Sequence, residues 1–233
     1  MPYMYLDSTY LLVLLGLVLC LLASANVKIV MNKYSKIRNT MNLTGAEAAR
    51  QILNREGLYN VQVECLSSDT GDHYDPRTNT VRLSYGNFNS PSITAVGVAA
   101  HECGHAIQHA HGYAPLNVRT LVYPVANIGS QLGVPLIILG VVLSYNQVLI
   151  QIGIWAFAFA VLFQLITLPV EFNASSRAVG IIGKYGLLSP EETNGCKKVL
   201  FAAALTYLAA AASSALQLLR LYLLYGGRGR RRD

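Results

Sequence analysis

The sequence predicts a mainly α-helical integral membrane protein that also carries a small α+β domain, and three observations support this class. Of the 233 residues, 53% are hydrophobic and only 13% are charged. Several uncharged stretches reach or exceed the roughly 20 residues that a helix needs to cross a bilayer. Residues 28–119 form the one long segment with the mixed composition of a globular domain. We therefore expect membrane helices with a single water-exposed domain.

The first uncharged stretch, residues 9–27, predicts a membrane anchor over residues 1–27. It is long enough for one crossing. A cleaved signal peptide fits less well, because the apolar stretch is too long and no positive charge precedes it. We expect the anchor to be retained.

A second uncharged stretch covers residues 120–170, between Arg119 and Glu171. It is long enough for two crossings of about 25 residues each, and polar residues at 144–147 mark a break near its middle. We interpret it as a transmembrane hairpin. Because a hairpin returns to the face that it left, the segments that flank it are expected at one face of the membrane.

The C-terminal segment, residues 199–233, permits two interpretations. Residues 199–219 are uncharged but rich in alanine and serine. A full crossing would carry arginines to the outer face, against the tendency of basic residues to stay in the cytoplasm. Alternatively, the helix packs on the globular domain and leaves the arginines on anionic lipid. We favour a fourth span; the arginines concerned are Arg220, Arg228, Arg230, Arg231 and Arg232.

Basic residues set the expected orientation of the first span. Asp7 is the only charged residue before it. Four basic residues follow it: Lys28, Lys33, Lys36 and Arg38. Because basic flanks stay in the cytoplasm, residues 28–119 are predicted to lie at the cytoplasmic face of the membrane.

The most informative motif is residues 101–105, His-Glu-Cys-Gly-His, which has the pattern HExxH. Residues four apart share one face of a helix, so both imidazoles can reach one metal ion while Glu102 leans toward its open position. Ser90 as a cap and Pro91 as the first helical residue predict such a helix, followed by small and apolar residues. Two hydrogen-bonded core histidines are the alternative. Because buried polar side chains need partners, we predict a Zn²⁺ site at His101 and His105.

A catalytic zinc usually has three protein ligands and a further position for water, so a third side chain is expected. His111 has the spacing of the metzincin pattern HExxHxxGxxH, but Gln108 replaces the glycine of that turn and no methionine follows the motif. We assign His111 to helix-end capping or to substrate-side polarity. Glu171 is preferred, because the predicted hairpin returns it to the face of the HExxH helix. The alternative role of Glu171 is to end the span.

The globular segment predicts a short helix and a small sheet. Residues 44–55 begin with the cap Thr44 and place an acid early and a base late. Residues 61–66 alternate like a strand, and turn residues at 75–79 predict a hairpin that leads into residues 81–84. In many zinc peptidases such an edge strand pairs with an extended substrate. The alternative is an ordinary sheet that covers the helices.

Four segments together resemble the neutral zinc metallopeptidases of bacterial membranes, the YugP-like family. They are residues 72–77 (DHYDPR), 81–84 (VRLS), 95–108 (AVGVAAHECGHAIQ) and 168–178 (LPVEFNASSRA). The resemblance implies a membrane-bound zinc peptidase with a zincin-like domain, with His101, His105 and Glu171 on the metal and Glu102 as catalyst. The chain is more distantly similar to HtpX-like and CAAX prenyl proteases, which carry an acid four positions after the third ligand. Ser175 stands there instead, so another group is expected to orient the ligand histidine.

The predicted mechanism is hydrolysis of peptide bonds in which Glu102 removes the proton of a zinc-bound water. Arg177 is our candidate for the oxyanion donor, and a structural ion pair is its alternative role. The expected substrates are peptides or membrane-protein fragments, which suits membrane protein quality control. A zinc-stabilised scaffold without turnover is the rival interpretation, and Glu102 argues against it, because a structural site has no need of that base.

Other features exclude further classes of function. The net charge of +6 is concentrated at span boundaries and in the tail, where it predicts attraction to lipid. No aromatic-basic pattern predicts nucleic-acid binding. The predicted spans over residues 9–27 and 120–170 contain no Asp, Glu, Lys, Arg or His, which argues against a transporter. The four cysteines lack metal-ligand spacing.

Overall fold

The computed structural model describes residues 7–67 and 71–226. The helices in these ranges are α1 (Tyr10–Ser35), α2 (Gly45–Arg55), α3 (Tyr85–Asn89), α4 (Ile93–Ala110), α5 (Ala114–Val142), α6 (Gln147–Tyr185) and α7 (Pro190–Leu221). A π-helical turn, Tyr222–Gly226, follows α7. The strands are β1 (Gln62–Leu66), β2 (His73–Asp75) and β3 (Thr80–Ser84). The chain is therefore mainly helical with a small sheet, as predicted.

Within the described ranges, four helices are long and apolar enough to cross a membrane. They are Tyr10–Ser35, Ala114–Val142, Gln147–Tyr185 and Pro190–Gly226. The fourth contains residues 199–219, so length and composition support the favoured interpretation of that segment. The predicted break at residues 144–147 overlaps the turn between α5 and α6, where Ser144 and Tyr145 both adopt positive φ angles. Arg228, Arg230, Arg231 and Arg232 lie outside the described residues.

The described residues form two compact units, and the first consists of residues up to Ala23, Val118–Leu168 and residues from Thr206 onward. Many of its large apolar side chains are exposed, including Leu121 at 80% and Trp155 at 73%. Such exposure is the pattern expected of helices that lipid surrounds. Its buried apolar cluster is small and consists of Ile137, Ile150, Ile154 and Leu221.

The second unit consists of Ser24–Asn117 and Pro169–Leu205. Its core is built around α4, against which α2 packs with fully buried residues such as Ile52 and Leu53. Thr44 caps α2 as predicted: its hydroxyl accepts the Glu47 backbone N–H, and the Glu47 carboxylate accepts the Thr44 backbone N–H. This reciprocal pair satisfies two backbone donors that the helix leaves free.

The three-stranded sheet of the second unit has the order β1-β3-β2. Strand β3 pairs in parallel with β1 and antiparallel with β2. The predicted hairpin of β2 and β3 is confirmed. However, the prediction that residues 81–84 form an edge strand is wrong. Strand β3 is the central strand, and its Val81 and Leu83 are fully buried. The pairing of β1 with β3 covers the edge that a hairpin alone would leave open, so β1 and β2 are the edge strands.

Helix α4 begins later than predicted. Its cap is Ser92, whose hydroxyl accepts the Ala95 backbone N–H, and its first residue is Ile93. The prediction of Ser90 as cap and Pro91 as first helical residue is therefore wrong. The Pro91 carbonyl instead accepts the Asn39 backbone N–H, and the Ile93 N–H donates to the Ile37 carbonyl. These long-range bonds hold residues 90–92 in an extended conformation.

Candidate metal centre

Helix α4 places the HExxH side chains in the second unit. The helix is buried along most of its length, and its apolar residues belong to the core of that unit. His101 and His105 lie one turn apart, with ring centroids separated by 4.7 Å and ring planes at 87°. The predicted arrangement of two imidazoles on one helix face is therefore present.

Glu171 on α6 lies against both imidazoles. Its Oε2 is 3.3 Å from His101 Nε2 and 3.6 Å from His105 Nε2. The side chain is buried, with only 3% of the residue exposed. Among the described residues, His101, His105 and Glu171 form a group whose ligand atoms lie within 4.8 Å of one another. The structure thus brings together the three residues that the sequence selected as metal ligands.

Gly104 permits the close approach of α4 to α6 at this centre. A Cβ atom at Gly104 would lie 2.7 Å from the Ala174 carbonyl oxygen and 3.2 Å from Ala174 Cα. These are backbone atoms, so they cannot move aside as the end of a flexible side chain could. The glycine between the two histidines is therefore what lets Glu171 and Ser175 reach them.

We expect Gly104→Ala to destabilise the fold by about 1–3 kcal/mol, as overpacking of a close contact does. It should also weaken zinc binding, because the methyl group pushes the two ligand-bearing helices apart. Thermal unfolding of the detergent-solubilised protein and a zinc titration measure both effects. Gly180→Ala on α6 is the control, since nothing lies within 4 Å of its added Cβ. Equal behaviour of the two variants would contradict the close-contact argument.

Each imidazole is supported at its other nitrogen by a neutral side chain. His105 Nδ1 lies 3.0 Å from Gln108 Oε1, and His101 Nδ1 lies 3.1 Å from Ser175 Oγ. The serine that replaces the expected acid therefore contacts His101 itself. Both Nε2 atoms are left to face Glu171.

The hydrogen bonds of Gln108 determine the tautomer of His105. Gln108 Nε2 donates to the Val170 carbonyl at 2.9 Å, which can only accept, so Oε1 faces the imidazole. His105 Nδ1 must then donate, and in a neutral ring Nε2 carries a lone pair. That lone pair is directed at the carboxylate of Glu171. Two acceptors face each other, and this arrangement calls for a cation between them.

The electrostatic environment of His105 also favours a cation at this centre. Burial alone would lower the pKa of His105, but the hydrogen bond that the protonated ring donates to Glu171, together with the charges of Glu102 and Glu171, outweighs burial and raises that pKa. The centre therefore favours a positive charge. Two imidazoles and one carboxylate are a ligand set typical of catalytic zinc, so the residues present fit this ion.

The two predicted catalytic residues lie on the same two helices. Glu102 is buried on α4 beside His101, with 7% of the residue exposed. Arg177 on α6 donates from Nε to Asn173 Oδ1 at 2.7 Å, and its guanidinium carbon lies 5.9 Å from the centre of the Tyr113 ring. Their catalytic roles stay predictions.

His111 does not join this group of side chains. It is the C-cap residue of α4, where its backbone N–H donates to the His109 and Ile107 carbonyls, and its side chain is exposed. The predicted position at the helix end is confirmed, and the metzincin-like alternative finds no support among the described residues.

Sequence reasoning missed Gln108 and Asn173 as parts of the centre. In the sequence, Gln108 stands out only as the residue that replaces the glycine of the metzincin pattern. The available signal was its spacing, because a residue three positions after His105 shares its helix face. A large amide within the predicted buried helix also indicates a hydrogen-bond partner on another element.

Comparison with known proteins decides the family. The family profile described as "Putative neutral zinc metallopeptidase" matches residues 9–226. The chain belongs to this family. It is also 49% identical over 203 residues to a Bacillus subtilis (strain 168) protein named "Putative membrane protease YugP", which covers 87% of this chain and 90% of that relative. No solved structure matches the chain. Family membership implies zinc, in agreement with the donor set described above.

Proposed function

We propose that this protein is a membrane-bound zinc peptidase whose metal is held by His101, His105 and Glu171. One observation carries the proposal: two imidazole Nε2 atoms and a buried carboxylate oxygen converge, while both Nδ1 atoms are already engaged. Family membership and the named membrane protease relative support it.

The chemistry follows from the residues around the ion. His101, His105 and Glu171 would hold the zinc ion, which would supply Lewis-acid chemistry: polarisation of a substrate carbonyl and a lower pKa for a bound water. Glu102, the base of the HExxH motif, would accept a proton from the attacking water as the oxygen–carbon bond forms. It would then deliver that proton to the amide nitrogen as the carbon–nitrogen bond breaks. Peptide hydrolysis needs no further co-reactant.

The proposed setting is the cytoplasmic face of a bacterial membrane. Lys33, Lys36 and Arg38 follow the first apolar stretch, and basic flanks favour the cytoplasm. Glu171 follows the apolar part of α6 within the same helix. Such a setting suits membrane-protein fragments or misfolded membrane proteins as substrates, and hence a role in membrane protein quality control.

Metal removal tests this function. We expect the full-length chain, purified in detergent, to contain about one zinc ion and to hydrolyse an unfolded protein such as casein. A chelator should abolish hydrolysis, and added Zn²⁺ but not Mg²⁺ should restore it. Elemental analysis and a fluorescent peptide-release assay provide the measurements. Zinc without any hydrolysis would favour the scaffold instead, and hydrolysis that survives full metal removal would reject a zinc peptidase.

A further inference from the structure

We propose that Gln108, Asn173 and Arg177 form a positioning relay that holds His105 in its metal-binding tautomer and orientation. Arg177 acts through Asn173 and is a positioning residue, with no contact to the substrate. The relay rests on one part of the proposed function, the binding of a metal by His101, His105 and Glu171.

Gln108 is the central member of the relay. It is fully buried, and its side-chain amide makes three hydrogen bonds. Oε1 accepts from His105 Nδ1 at 3.0 Å, and Nε2 donates to the Val170 carbonyl and to Asn173 Oδ1, each at 2.9 Å. Both amide hydrogens are thus in use. A rotation of this amide would break all three bonds in a dry environment, so its orientation is fixed.

Asn173 joins Gln108 to a positive charge. Its Oδ1 accepts from Gln108 Nε2 and also from Arg177 Nε at 2.7 Å. The guanidinium of Arg177 is in turn held near the face of the Tyr113 ring. A hydrogen bond from a charged donor is stronger than one between neutral groups, so Arg177 fixes the rotamer of Asn173. The fixed asparagine oxygen then holds the amide nitrogen of Gln108.

The relay also sets the position of α4 along α6. Val170, Asn173 and Arg177 follow one another at spacings of three and four residues, so they share one face of α6. Glu171 lies in the same turn as Val170. Bonds from Gln108 to Val170 and Asn173 therefore hold His105 at a fixed position relative to the carboxylate that shares its metal.

His101 has a separate support, which makes the relay specific to His105. Ser175 contacts His101 Nδ1 directly, and this bond is separate from the bonds that join Gln108, Asn173 and Arg177. Loss of a relay member should therefore loosen one imidazole while the other stays supported. We expect weakened metal binding, with the fold and His101 retained.

Metal affinity of the full-length chain in detergent tests the relay. Zn²⁺ and Co²⁺ dissociation constants are measured by competition with a chromophoric chelator, and the visible spectrum of bound Co²⁺ reports ligand geometry. Gln108→Met and Asn173→Leu should each weaken binding by about 10–100-fold, the usual effect of losing a group that orients a ligand. Asn173→Asp should bind metal nearly as well as the unaltered protein, because its carboxylate oxygen can accept from both Gln108 and Arg177.

Arg177→Met separates the relay from a role at the oxyanion. The relay predicts weaker metal binding and an altered Co²⁺ spectrum. It also predicts that Asn173→Leu combined with Arg177→Met binds metal no more weakly than Asn173→Leu alone, because the two residues act in series. A fall in kcat of about 10²–10³-fold with normal metal affinity and spectrum would instead place Arg177 at the oxyanion and overturn the relay.

Ser176→Ala, an exposed position beside Arg177, is the matched control and should leave metal binding unchanged. Metal binding that is insensitive to both Gln108→Met and Asn173→Leu would overturn the relay while the proposed function stands. A wild-type chain that binds neither Zn²⁺ nor Co²⁺ would overturn the proposed function, and the relay with it.

Discussion

Glu102→Gln is expected to lower kcat for peptide hydrolysis by about 10²–10⁴-fold, the usual contribution of a general base, while zinc content stays unchanged. The substitution keeps the size and shape of the side chain but removes its ability to take a proton. Glu102 is buried next to His101 and is not a member of the group whose possible ligand atoms converge. Metal and fold should therefore survive. Elemental analysis and initial rates of peptide release measure the two effects.

Glu191→Gln provides the matched control for this prediction. Glu191 is exposed in the first turn of α7, so its amide variant should retain both zinc and activity. A Glu102→Gln protein that keeps its zinc and hydrolyses peptide at the unaltered rate would contradict the mechanism. Loss of zinc from that variant would show that Glu102 helps to hold the metal. The group of converging side chains, which contains His101, His105 and Glu171, predicts the opposite.

Glu171→Ala is expected to weaken zinc binding by more than about 100-fold, since loss of an orienting group alone costs 10–100-fold and Glu171 would be a ligand. The carboxylate supplies the third donor and the negative charge that the two neutral imidazoles lack. Its Oε2 is the atom on which both Nε2 atoms converge. Activity should disappear together with the metal. Chelator competition on the purified full-length chain measures the change.

His111→Ala tests the alternative third ligand under the same conditions. Its side chain is exposed at the C-cap of α4, so zinc affinity should stay unchanged. The opposite pattern, with His111 essential and Glu171 dispensable, would mean that one local segment builds the site. It would also remove the reason for linking the site to the predicted hairpin.

The proximity of Glu171 to the HExxH helix α4 could be predicted from the sequence. The HExxH spacing places two imidazoles on one face, and the uncharged stretch at 120–170 has the length of a hairpin that returns Glu171 toward them. Both inferences rest on local periodicity and on chain length, which a single sequence reports well. The observed group of His101, His105 and Glu171 agrees with them, and its metal stays a proposal.

Details that depend on long-range contacts could not be obtained in this way. The central position of β3 arises because β1 pairs with it in parallel, and strand alternation does not reveal partners. The cap of α4 shifts to Ser92 because residues 37–39 bind the extended segment before it. Similarly, the spacing within α4 places Gln108 beside His105, but the orientation of its amide depends on the Val170 carbonyl of another helix, which that spacing cannot indicate.

The groups that hold the two imidazoles at Nδ1 are neutral, and this affects how the site responds to acid. An amide and a hydroxyl, those of Gln108 and Ser175, hold the two imidazoles at their Nδ1 atoms. Neither group gains a proton in the range where a carboxylate would, so acidification leaves this support intact. Competition between protons and the proposed metal would then be confined to His101, His105 and Glu171, and neutralisation should restore metal binding without any rearrangement of the surrounding helices.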